Sequence, residues 1–252
     1  MPNFDAHEDH LVLGSLRTTA SHTIGVPHLI EVLRAVPTDA PQACYREVIV
    51  DENLLGRPTQ AGRQRTFRHL RELYFLNPSR REFLALRRLG LLDAAAQPLM
   101  AGILSFTRDS VFRASFHAVQ QAPVGAIVTS DDLAKAVAAV HWADFSAETL
   151  AKTGRNTAAS WTQTGHLAGR TKKVRQRVIA TPAAVAYAAY LGYLAGKRGV
   201  GVLSTPWSAL LDLPAGSALD ALRSAHAHGL IDLLIAGNVV DVSFPLVEGG
   251  HC

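Results

Sequence analysis

Apolar residues recur at intervals of three and four through the first half of the chain. The segments PHLIEVLRAV, APQACYREVIVDENLL, TQAGRQRTFRHLRELYFL, SRREFLALRRLGLL, AAAQPLMAGILSF and RDSVFRASFHAVQQA follow one another with no strand-like alternation between them. That period puts an apolar stripe on each successive helix and predicts an all-helical domain over residues 26–124. Residues 1–25 hold no sustained period and read as an N-terminal arm. At 122–130, APVGAIVTS interrupts the pattern with Pro123 and Gly125, which break helices, and so marks a domain boundary.

The second half, 127–252, has a different texture. Thr129 and Asp132 have the spacing of a capping pair for the helix DDLAKAVAAVHW, and ADFS makes a short connection to a second helix from Ala147 to Thr164. Gly165 can end that helix in the left-handed region. RTKKVRQRVIA then alternates, with Val174 and Val178 on one side and Lys173, Arg175 and Arg177 on the other, which predicts a strand with one basic face. Further on, SALDALRSAHAHGL has helical spacing, and IDLLIAGNVVDVSF reads as a hairpin turning at Gly237-Asn238. The expected fold is mainly α, with two small helical domains. The C-terminal one is winged helix-turn-helix-like with short β-hairpin wings, and the last hairpin admits a second such arrangement.

On a helical wheel, Leu150, Gly154, Thr157 and Trp161 fall together and would face the core. Thr149, Lys152, Asn156, Ala159 and Gln163 fall opposite, flanked by Arg155. Side chains of this kind can pair with base edges and phosphates, and the small residues between them allow a duplex to approach closely. A basic strand beside such a helix would serve as a wing against the backbone.

Charge sharpens this reading through its distribution more than its sum. The net charge of the 252 residues is only +4 and the pI about 9.3. Yet nine Lys and Arg and no acid lie between Thr149 and Leu211, whereas ordinary solvated faces mix both signs. Arg170, Lys172, Lys173, Arg175 and Arg177 belong to this run. A second cluster, Arg57 to Arg88, holds nine arginines against Glu72 and Glu82. Within it Arg65, Arg68, His69 and Glu72 share a helix face after Thr59, and Arg63 precedes them on the same helix. Glu72 can pair with Arg68 at i+4 on that face.

Composition excludes several classes. Cys44 and Cys252 make no disulfide framework and suit a reducing, cytoplasmic compartment. The first residues, MPNFDAHEDH, lack the basic and apolar regions of a secretory signal. Val178–Gly196 carries no charge, but a helix starting at Pro182 would span only about 20 Å and reads as buried. GKRGVG lacks phosphate-loop spacing, and the histidines, including the pairs His7/His10 and His226/His228, form neither HExxH nor a zinc set. No catalytic residue, metal or cofactor is expected. Trp161 and Trp207 read as core anchors.

Two stretches taken together carry a family resemblance. VDENLLGRPTQAGRQRTFRHLRELYFL resembles the N-terminal motif of the BrxA family. FSAETLAKTGRNTAASWTQTGHLAG, followed by TPAAVAYAAYLGYLAGKRGVGVLSTPWSALLD, resembles that family's later motif. BrxA proteins belong to bacteriophage exclusion (BREX) defence islands, beside a DNA methyltransferase and large ATPases. The resemblance implies a mostly helical, cytoplasmic, non-enzymatic protein that binds double-stranded DNA. It carries over Thr149, Lys152, Arg155 and Asn156 from the helix motif, and Asn53, Arg63, Arg65 and Arg68 from the N-terminal one. A longer arm and the string SWTQTGHL depart from the pattern and leave the defence-system subtype open. Two other readings fit the same basic faces: a subunit that docks defence-complex proteins, and a helical RNA-binding protein resembling antitermination factors.

Overall fold

A computed structural model describes residues 11–141 and 143–249; His7, His10, Trp142 and Cys252 lie outside them. The chain is mainly helical with two small antiparallel sheets. In the first half α1 (Val26–Ala35), α2 (Gln42–Arg46, continued by a π turn Glu47–Asp51), α3 (Gln60–Tyr74), α4 (Arg81–Leu92), α5 (Gln97–Arg108) and α6 (Ser110–Gln121) follow in order. The second half holds α7 (Ser130–His141), α8 (Ala147–Gln163), the pair β1 (Leu167–Ala168) and β2 (Val174–Arg175), α9 (Pro182–Leu194) and α10 (Ala218–Ala227). The hairpin β3 (Asp232–Ala236) and β4 (Val239–Ser243) and the short α11 (Pro245–Glu248) end it.

Local chemistry accounts for several helix starts. Thr59 accepts from Gly62 N, Asp109 from Phe112 N, Ser146 from Thr149 N and Thr181 from Ala184 N. Thr129 and Asp132 bond each other reciprocally at the start of α7, a complete capping box. Each such cap contributes about 1 kcal/mol. Asn53, in the left-handed region at φ 57°, accepts the Arg57 amide at 2.7 Å and so closes the loop before α3.

Residues from both sides of the Pro123–Gly125 break share one hydrophobic core, from Ile24 to Val247. Trp161 stacks on Phe112 with ring centroids 4.1 Å apart and donates to Ser115 Oγ. Trp207, also buried, donates to the Ala188 carbonyl. α9 is buried on nearly every side, which explains its lack of charge. Among the described residues no helix is long and apolar enough to cross a membrane.

Where the sequence predicts an arm, residues 11–25 instead lie against the body of the protein. Gly14 N donates to Thr107 O and Leu16 N to Arg108 O. A Cβ on Gly14 would stand 2.7 Å from the Arg108 carbonyl oxygen, so only glycine allows that approach. Buried Asp109 then receives Thr18 Oγ1 at 2.6 Å, Thr19 N at 3.0 Å and Thr19 Oγ1 at 2.7 Å. A carboxylate with that many donors fixes the 18–20 turn at the α5–α6 corner.

β2 is shorter than the alternating pattern predicts and lies between two neighbours. β1 pairs with it in the register Leu167↔Arg175 and Ala168↔Val174. On its other side the extended segment 126–128 pairs antiparallel through Ile127↔Val174, with Val128 N donating to Lys173 O and Arg175 N to Ala126 O.

Candidate nucleic-acid interface

Gly154 sets the geometry of α8. A Cβ there would stand 2.0 Å from the Ser130 carbonyl oxygen, so glycine lets the start of α7 press directly against α8. Lys152 and Arg155 then stand exposed on the N-terminal half of α8, beside exposed Glu148 and Ala151. Thr149 is half-buried, its hydroxyl engaged with Ser146 at 3.0 Å.

The C-terminal part of the predicted solvent face is covered. Asn156 donates to the carbonyls of Thr19 and Ala20, and Ser160 accepts the Ile24 amide. Gln163 accepts the Val26 amide at 3.0 Å and reaches Thr23 Oγ1. Asn156 and Gln163 therefore hold the segment 18–26 in place, which corrects their assignment as nucleic-acid contacts. The wheel separates faces correctly but cannot know that an aperiodic segment returns to cover one.

Arg175 requires a second correction. It is 5% exposed, and its guanidinium grips both carboxylate oxygens of Asp212 at 2.6 and 2.9 Å while donating to Val119 O at 2.9 Å and to Gln176 O. Burial opposes ionisation of Asp212, but the bonds from Arg175 and from the Val178 amide outweigh it and hold the carboxyl below its usual range. Because β2 is the middle strand, its Arg175 side faces the protein. Arg170, Lys172 and Arg177 are exposed, whereas half-buried Lys173 folds back so that Nζ meets the Gly169 carbonyl at 2.6 Å. Gly169, at φ 102°, makes the tight turn possible, since a Cβ would stand 2.2 Å from Lys172 O.

On α3, Arg65 and Arg68 are exposed. Arg63 is half-buried and donates to the carbonyls of Arg57 and Val50, so it braces the loop before the helix and does not face solvent freely. No ion pair among the described residues takes up Lys152, Arg155, Arg170, Lys172, Arg65 or Arg68.

The segment 18–26 joins the two basic clusters. Thr23 O accepts His69 Nε2 and Ile24 O accepts the Tyr74 hydroxyl, both at 2.7 Å from α3, while α8 holds the other side through Asn156, Ser160 and Gln163. His22, carried at its middle, has its pKa lowered by burial and then by the charges of Lys152 and Arg65. Cations of α8 and α3 thus act on one imidazole. Sequence reasoning missed His22, His28 and Arg57, which no local spacing links to one another. No protein-family model matches the chain, and no curated protein matches it either.

Proposed function

We propose that this chain is a non-enzymatic, cytoplasmic accessory protein of a bacterial anti-phage defence system that binds double-stranded DNA. The observation that carries the reading is that α3, through His69 and Tyr74, and α8, through Asn156, Ser160 and Gln163, grip opposite sides of the one segment 18–26, which brings two basic helices far apart in sequence against the same short stretch. The element order supports it. α6, the extended segment 126–128, α7, α8, β1 and β2 follow in the sequence of a winged helix-turn-helix, with α8 as recognition helix and the 169–173 turn as wing. Recognition helices meet base edges with their N-terminal residues, and Arg155 stands exposed in that half of α8. Lys152 beside it, Arg170 and Lys172 on the turn, and Arg65 and Arg68 on α3 supply five phosphate contacts.

Anisotropy titrations of two unrelated labelled duplexes, repeated across salt concentrations, test the reading. Five phosphate contacts predict a slope of about −4.5 in log K against log salt for both duplexes. Absence of binding at low salt, or tighter binding to structured RNA in competition, defeats it.

A second reading draws on the β3–β4 hairpin. Leu234 and Val239 are each 68% exposed near its tip, and apolar groups displayed together suit a protein partner. On that reading the chain is a docking subunit, with a defence methyltransferase or ATPase as its partner. Such a subunit would co-purify with those proteins and bind duplex no better than a lysine-rich control.

A further inference from the structure

A cavity of about 280 Å³ lies where the N-terminal turns of α1 and α3 meet the 18–26 segment. His22, His28, His69, Arg57 and Arg65 line it, and its lining contains no carboxylate. Gly25 and Gly62, at the starts of the two helices, complete the wall, and neither helix has an acidic residue in its first turn. Helix N-termini carry partial positive charge, so both add to the potential of the two guanidiniums. His22 and Arg65 are exposed and form the mouth, while Arg57, His28 and His69 are half-buried behind them.

The inner groups leave hydrogen-bonding capacity unused. Arg57 Nη2 lies 2.9 Å from His28 Nε2, which must accept and so leaves the His28 proton on Nδ1. His69 donates through Nε2 to the Thr23 carbonyl. Its Nδ1, a bare acceptor in that tautomer, is buried without a partner and can meet an anion only by taking up a proton, while Arg57 Nε–H is buried without an acceptor. Buried polar atoms without partners are uncommon because each costs free energy, and two in the lining of one cationic cavity call for a common explanation.

We propose that this cavity binds a phosphate monoester, held by the guanidiniums of Arg57 and Arg65 and the imidazoles of His22, His28 and His69. A tetrahedral dianion accepts hydrogen bonds from several directions at once, which matches two guanidiniums and three rings arranged around one space. Charge argues for the same ligand. Lys152 and Arg65 face His22. Arg57 and Glu31 face His28. His22, His28, Asp109 and the Thr23 carbonyl face His69. Burial first, and the cations beside His22 and His28, lower the proton affinity of these rings; a dianion would let His22 and His69 take up protons, while His28 donates from Nδ1 and keeps accepting from Arg57. Affinity therefore rises as pH falls from 8 until the phosphate itself protonates near a pKa of about 6.

The ligand can come from two sources, a free phosphorylated metabolite or the 5′-phosphate of a nucleic-acid strand. Arg65 also serves the duplex face, but Arg57, His28 and His69 do not, so loss of phosphate binding with duplex binding intact, or the reverse, separates the two proposals. The test titrates the full chain with phenyl phosphate, a monoester whose second pKa lies near about 6, at pH 6.5 and 8, following heat and the ring resonances of the three histidines. Saturable binding that shifts all three rings and tightens at pH 6.5 is expected. Arg57→Gln or His28→Gln should weaken it by at least about tenfold, the loss expected for one charge-assisted hydrogen bond. Arg65→Gln, at the exposed mouth, should weaken it without disturbing the fold and keeps the test decisive if the inner variants unfold. Short duplexes with 5′-phosphate and 5′-hydroxyl ends then identify the source: preference for the phosphorylated end assigns a strand terminus, and equal binding assigns a free ligand. Phenyl phosphate that leaves the rings unshifted, or that binds the Arg65→Gln variant as tightly as the parent, overturns the site.

Discussion

Arg175 and Asp212, 37 residues apart, form a bidentate ion pair with oxygens at 2.6 and 2.9 Å, their side chains largely withdrawn from solvent. Removing one partner leaves the other charge buried and alone. Asp212→Ala should therefore destabilise the protein by about 3 kcal/mol or more, read by chemical denaturation. Duplex affinity per folded molecule should stay unchanged. An equal loss of duplex affinity in Arg175→Met, measured on folded protein, would return Arg175 to the interface.

Two histidines govern acid stability. Burial pushes His69 and His166 down to about 4, and His166 is locked between Thr164 Oγ1 at 2.8 Å and the Leu210 carbonyl at 3.0 Å. Between pH 6.5 and 4 the unfolded chain binds protons at these rings that the folded chain refuses, so stability rises with pH there. Each ring contributes a slope of at most about 1.4 kcal/mol per pH unit. Denaturation midpoints measured from pH 7 to 4.5 should fall steadily, and His166→Gln should flatten the curve.

Helix α8 should divide into a binding half and a structural half. Lys152→Ala and Lys172→Ala should each reduce the salt slope by about 1 and weaken both duplexes alike. Asn156→Ala and Gln163→Ala should instead cost about 1 kcal/mol of stability and leave the slope intact. Slopes and melting curves on the same preparations separate the two outcomes.

Gly154 should tolerate no side chain. With its Cβ position 2.0 Å from the Ser130 carbonyl oxygen, Gly154→Ala must push α7 away from α8. A loss of about 3 kcal/mol or more is expected by calorimetry, at the upper end of overpacking effects.

The helices of both halves were legible because their signals are local. Thr129 with Asp132, Ser146 before α8 and Pro182 opening α9 each act within one turn, and the reciprocal bonds of the first pair are as the spacing predicts. Arg175 was not legible, since alternation along a strand cannot reveal that β2 is central or that Asp212 waits at the end of another segment. Asn156 and Gln163 misled for a related reason. The residues that cover them, 18–26, have no period of their own, and their position depends on Asp109, some 90 residues away. The cavity of His22, His28, His69 and Arg57 joins segments that only the completed fold brings together.

Asp109 has a reach beyond the turn it anchors. Because it fixes Thr18 and Thr19, and because α3 and α8 each grip the residues that follow, the spacing between Arg65 and Lys152 is settled during folding rather than during binding. A long anion spanning both cations thus meets a template of preset width and loses little of its own freedom to loop ordering. Such a surface would distinguish its ligands by the distance between their charges, and a stiff double helix would satisfy it more readily than a limp single strand.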